Sequence, residues 1–181
     1  MAVTSESTRL EGTALEAWRS YLQSHAGIVR ELDADLIAQH GLTVRDYEVL
    51  LYLAQAEERR LPMSALSERT MLTRSGITRL IDGLVGQGLI ERVSCASDAR
   101  VSYARLTDTG YEKLRQAGCT HVAGIQRLFL THYSADELEQ LAVLLGRLPG
   151  AGLGAACTAA DHGCTAEADT LAADSGGCSV S

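Results

Sequence analysis

The stretch LTRSGITRLIDGLVGQGLIERV, residues 72–93, decides the architecture. Within it Ile77, Leu80, Ile81, Leu84 and Val85 recur at three- and four-residue spacing, which predicts an amphipathic helix with one apolar face. Thr73 stands where an N-cap is needed, its hydroxyl able to accept from the first unpaired amides. The opposite face presents Arg74, Ser75, Thr78 and Arg79. Gly86 and Gly88 end the helix, since glycine enters the left-handed turn without a Cβ penalty. Upstream, Pro62 precedes a short helix carrying Ala65, Leu66 and Arg69, and the interval over Met71 and Leu72 has helix-turn-helix spacing. Downstream, LIERVSCASDARVSYARLT alternates on both sides of a polar tip at residues 96–100, which predicts a β-hairpin.

Helices are expected on either side of this centre. Leu15, Trp18, Leu22, His25, Val29, Leu32 and Leu36 are spaced 3-4-3-4-3-4, a long helix with a heptad seam. Thr43 and Asp46 form a capping box for a second helix that turns Tyr47, Leu50, Leu51 and Ala54 inward. Thr107 and Asp108 open another long helix, with Tyr111, Leu114, Gly118, His121, Ile125, Leu128 and His132 on one stripe. Ser134 and Glu137 box the last helix, which carries Leu138, Leu141, Leu144, Leu145 and Leu148 and ends at Pro149 and Gly150. The fold class expected is mainly α with one small β-hairpin.

Composition narrows the function classes. At 181 residues and 46% apolar content with few aromatics, one domain with a helical core is expected. The opening MAVTSESTRLEG lacks a basic start with an apolar run, and no apolar stretch reaches membrane-spanning length, so a cytoplasmic chain without membrane contact is expected. Five cysteines are an odd number for a disulfide framework and read as reduced thiols, Cys95 and Cys119 as small packing residues. The net charge of −7 looks wrong for a nucleic-acid binder. Its distribution corrects that impression, because residues 150–181 hold four acids and no Lys or Arg, leaving −3 for the rest. Between Arg59 and Arg105 eight arginines face four acids, a local excess of four positive charges able to meet phosphates.

The order long helix, helix, helix-turn-helix, hairpin, long helix, helix, together with residues 72–93 and SDARVSYARLTDTG at 97–110, resembles the MarR family of regulators. The resemblance implies a winged helix-turn-helix DNA lobe at about 43–106 and dimerisation helices at about 13–40 and 108–148, within a domain of residues 1–149. It also implies a homodimer on a pseudo-palindromic operator in double-stranded DNA, because one helix-turn-helix buries too little surface for high specificity. Thr73, Arg74, Ser75, Thr78 and Arg79 are the expected major-groove residues, as an α-helix fits that groove and these side chains can reach base edges or phosphates. Arg100 takes the place of the family's wing arginine in the minor groove, with Asp98 placed to orient its guanidinium. Arg92 and Arg105 read as ordinary surface charges.

The same resemblance points to a repressor released by a small aromatic or phenolic effector. Trp18, Tyr21 and His25 share one side of the first helix, and with Tyr47 they are the candidate lining of a pocket between the dimer and DNA lobes; a urate-responsive branch also carries a Trp there. Trp18 and His25 equally fit the seam of a dimer core. After Gly150 the chain is rich in Ala, Gly, Ser and Asp without periodicity, so a disordered acidic tail is expected. Its Cys157, His162, Cys164 and Cys178 raise a redox- or metal-sensing alternative, but the spacing lacks a metal-ligand pattern, so neither metal nor cofactor is expected. No nucleophile with a base and no phosphate-cradling loop suggests an enzyme. A helical dimeric adaptor without DNA binding would leave the arginine-bearing helix-turn-helix unexplained.

Overall fold

A computed structural model describes residues 10–94 and 102–151. Six helices and three strands follow in the order α1 (Gly12–His40), α2 (Val44–Ala54), β1 (Arg60–Pro62), α3 (Met63–Thr70), α4 (Arg74–Gly86), β2 (Ile90–Ser94), β3 (Ser102–Leu106), α5 (Asp108–Leu128) and α6 (Ala135–Leu145). The mainly helical class with a small sheet is as expected.

The helix starts are set by hydroxyls. Thr43 accepts the Asp46 amide, and the Thr43 amide donates to the Asp46 carboxylate at 2.9 Å, so the predicted capping box is closed both ways. Thr73 accepts the Gly76 amide, Thr107 the Gly110 amide, and Ser134 forms the second capping box with Glu137. The turn between α3 and α4 is made by Met71 in the left-handed region at φ 53, where no glycine marks it in the sequence.

The core is built around α2. The sequence suggests one inward stripe, yet Val44, Tyr47, Val49, Leu50, Leu51, Tyr52 and Leu53 are all buried. Helix α2 lies among α1, α3, α5 and the sheet, so its buried face is broad, while Arg45 at its start stays exposed. Ile77, Ile81 and Leu84 of α4 and Leu66 of α3 pack into the same cluster. Leu80 and Val85, expected inside, are half-buried.

The sheet differs from the expected two-stranded hairpin. Its order is β1-β3-β2, antiparallel throughout, with Leu61 opposite Ala104 and Val93 opposite Tyr103. Strand β1 comes from the charged Glu57–Arg60 turn, where Glu58 and Arg59 both take positive φ. Three residues are too few to show a period of two, and Pro62, which lacks an amide, suits the edge position.

The junction between hairpin and α5 accounts for the Leu-Thr-x-x-Gly signature. The Thr107 amide donates to the Leu89 carbonyl at 3.1 Å, and its hydroxyl lies 2.8 Å from the Gly88 carbonyl. The first turn of α5 thereby sits so close to β2 that a Cβ on Gly110 would lie 2.1 Å from the Leu89 oxygen. Only glycine fits there.

Helix α5 runs against the C-terminal half of α1. Arg127 reaches Asp35 at 2.7 Å, and Thr120 donates to the Gln39 side chain while His40 Nε2 lies 2.8 Å from the same hydroxyl. The predicted α5 stripe extended to His132, but the helix ends at Leu128 and His132 sits in a separate 3-10 turn, exposed. Cys119 is also not the packing residue expected: it lies off the apolar stripe and is exposed. Cys95, Asp98, Arg100 and the tail residues Cys157, His162, Cys164 and Cys178 lie outside the described residues.

Candidate nucleic-acid interface

Helix α4 divides cleanly by exposure. Ile77, Ile81 and Leu84 are buried, while Arg74, Ser75, Thr78, Arg79 and Asp82 face solvent. The apolar face fixes the helix to the lobe, and the polar face is left for a partner. Thr73 remains the N-cap, and its hydroxyl also lies 3.2 Å from the Ser75 hydroxyl, so these two side chains order the start of α4 as well as presenting oxygens. The Thr78 hydroxyl donates to the Arg74 carbonyl at 2.8 Å. Neither Arg74 nor Arg79 makes an ion pair among the described residues.

The other arginines nearby are engaged. Arg92 of β2 reaches Asp82 of α4 at 2.6 Å, tying the hairpin to the exposed helix. Arg105 pairs with Glu91 across the hairpin. Arg59 lies over the Tyr111 ring at 4.1 Å and reaches Asp108 at 3.3 Å. Exposed pairs of this kind contribute little to stability, about 0–1 kcal/mol each, but they leave Arg74 and Arg79 as the uncommitted cations of α4.

Beside α4 lies an open cleft of about 340 Å³ between α3, α4 and β3. Pro62, Met63 and Ile77 line it with Arg74, Thr78, Ser64 and Ser102. Ser64 and Ser102 were not singled out from the sequence. Ser64 falls in the first turn of a short helix and Ser102 opens a strand, and neither position has a periodic signal.

The candidate effector residues separate. Tyr21 and His25 line an open cavity of about 370 Å³ with Ile28, Phe129, Tyr133 and Leu145, between α1, the residues flanking the 3-10 turn, and α6. Trp18 is a turn away, its ring 6.2 Å from Tyr21, and is 52% exposed. Tyr47 does not join them. It is 1% exposed, and its ring lies 4.5 Å from that of His121 in the core between α2 and α5. The cavity therefore lies within the helical lobe, away from the pocket between lobes that the sequence suggested.

Helix α6 has no buried residue, and Val143, Leu144 and Leu148 are exposed, as are Trp18 and Leu22 on α1. Exposed apolar residues thus recur on the first and last helices, surface of the kind that interaction faces carry.

The comparisons agree with this construction. Residues 40–101 match the MarR family model. The transcriptional repressor YetL of Bacillus subtilis is 31% identical over 111 residues, which cover 61% of this chain and 66% of that protein. Among solved structures, AbsC, a MarR family transcriptional regulator from Streptomyces coelicolor, is 34% identical with a TM-score of 0.71, over 76% of this chain and 92% of that one. Sco3205, a MarR family regulator from the same organism in complex with DNA, is 29% identical with a TM-score of 0.72, over 76% and 86% of the two chains. With the matched segment spanning α2 to the hairpin and the structural likeness extending over the flanking helices, this chain belongs to the MarR family of winged helix-turn-helix transcriptional regulators.

Proposed function

We propose that the chain acts as a homodimeric repressor that seats α4 of each protomer in the major groove of a pseudo-palindromic operator. The observation that carries the reading is the solvent face of α4, where Arg74, Ser75, Thr78 and Arg79 stand together while the hairpin is fastened to the same helix through Asp82 and Arg92. A helix buried on one face and cationic on the other, held at the edge of a small sheet, has the shape and charge for the groove. The second copy covers the apolar residues that α1 and α6 leave exposed, and it sets two recognition helices about one DNA turn apart. The complex of the similar Sco3205 with DNA supports the same partner here.

A small aromatic or phenolic acid releases the operator by entering the cavity at Tyr21 and His25. The lining combines the rings of Tyr21, Phe129 and Tyr133 with hydroxyl and imidazole groups able to meet a carboxylate or phenol. Release requires the ligand to prefer a spacing of the two DNA lobes unlike that of the operator, and a coupling of about 1–3 kcal/mol lowers affinity 5- to 150-fold.

Fluorescence anisotropy with duplexes selected from a random pool, repeated across salt concentrations, tests the first part. Steep salt dependence with sequence preference is expected, and salt-independent or absent binding refutes it. Quenching of Trp18, the one tryptophan of the chain, by salicylate-like or urate-like acids tests the second.

A further inference from the structure

We infer that the cleft between α3, α4 and β3 seats one DNA phosphodiester, and that the two arginines of α4 divide the work: Arg74 holds backbone and Arg79 reads bases. This rests on the DNA-binding reading above and assigns each arginine its own half of it.

The assignment follows from which groups can donate. The Thr78 hydroxyl lies in the cleft, but it donates its one proton to the Arg74 carbonyl, which can only accept. Outward, Thr78 offers a methyl group and lone pairs. Thr73 is committed to the Gly76 amide and to Ser75. Among the described residues, the donors left at the cleft are the Arg74 guanidinium and the hydroxyls of Ser64 and Ser102, brought by three different elements, and no carboxylate of those residues lines it. A base edge presents donors and acceptors side by side in one plane, so it suits a single planar fork. A phosphate presents acceptor oxygens alone, pointing in several directions, and fits three converging donors without a competing acid.

Arg79 is placed otherwise. Five residues beyond Arg74, it is turned about 140° around the helix. It does not line the cleft and makes no ion pair among the described residues, so its fork is available for a guanine edge. Arg92 and Arg105 do not compete for either role, being held by Asp82 and Glu91.

The full chain and its selected operator supply the test, in three parts. First, Arg74→Ala weakens binding about tenfold, keeps the wild-type consensus on reselection, and lowers the slope of log affinity against log salt by about one per protomer. Arg74→Lys, which retains charge without the fork, keeps that slope. Second, Arg79→Ala changes the selected base at one position of each half-site. Third, single methylphosphonates are scanned along the operator. One position per half-site weakens the wild type as much as Arg74→Ala does and adds nothing to that variant, and Ser64→Ala loses affinity at the same phosphate. The inference is overturned if Arg74→Ala shifts the consensus, or if its loss adds in full to every methylphosphonate. A wild-type chain that selects no duplex at all removes the DNA-binding reading itself, an outcome recognisably different from either.

Discussion

Placing two aspartates at Val143 and Leu144 should separate the protomers without unfolding them. Helix α6 has no buried residue, and these two side chains are 61% and 52% exposed, so the protomer itself derives little from them. Burying a whole Val or Leu side chain is worth about 1.5–3 kcal/mol, and the half left uncovered here about 1 kcal/mol each. Twofold symmetry counts each position twice, giving about 4 kcal/mol for the dimer, or roughly a thousandfold in its dissociation constant at 1.4 kcal/mol per decade. The new carboxylates add the cost of desolvating four charges. Sedimentation velocity over a concentration series reads the dissociation constant, and far-ultraviolet circular dichroism follows helix content in the same samples. A dissociated variant with full helix content that has lost operator affinity is expected. An unchanged dissociation constant would show that the partner does not cover this face, and a loss of helix in step with dissociation would show that α6 belongs to the protomer core.

Three further outcomes follow from particular contacts. Gly110→Ala puts a methyl 2.1 Å from the Leu89 carbonyl oxygen and 2.8 Å from Leu106, so α5 must shift and loosen the Thr107 bonds; a loss of about 3 kcal/mol in urea unfolding is expected, and less than about 0.5 kcal/mol would refute the close approach. Burial, and secondarily the Lys113 ammonium, hold the His40 pKa below its usual value, so the unfolded chain binds the proton more readily. The stability linked to His40 is complete above pH about 6.5 and falls as pH drops through that value toward the lowered pKa; urea midpoints from pH 7.5 to 5 should show the decline, and His40→Gln should flatten it. Deleting residues 152–181 should leave operator affinity within about twofold in gel-shift titrations, because a segment without apolar periodicity has no face to pack, and loss of binding would give the tail a structural part.

Most of the secondary structure was legible because it is written in local chemistry. Thr43 with Asp46, Thr73, Thr107 and Ser134 with Glu137 each satisfy helix-start amides from within three residues, so sequence spacing alone exposes them. The α4 face was legible for the same reason, since burial of Ile77, Ile81 and Leu84 leaves Arg74 and Arg79 on the solvent side of the helix. What stayed hidden depends on contacts distant in sequence. Strand β1 exists because β3 offers an edge to three residues that resemble a charged turn. The end of α5 at Leu128, short of the expected His132, lies at a Phe129 whose φ of −131 and ψ of −61 are not helical, a break that no proline or glycine announces.

Tyr47 shows where the limit falls. Its place among Leu50, Leu51 and Ala54 correctly predicts an inward side chain, but inward on α2 means the core against His121, whereas Tyr21 and His25 face α6. Helical periodicity fixes the direction of a side chain relative to its own axis and says nothing of which helix occupies that direction. Residues on two helices can be assigned to one site only once the packing of those helices is known. The arginines of α4 illustrate the same distinction from the other side. Arg74 and Arg79 are alike in type and exposure, and a helical projection separates them by about 140° without saying what lies beside either; they take different surroundings only when Ser64 of α3 and Ser102 of β3 line a cleft beside one of them. Their separate effects on salt dependence and base preference are therefore consequences of tertiary placement, which residue type alone leaves undetermined.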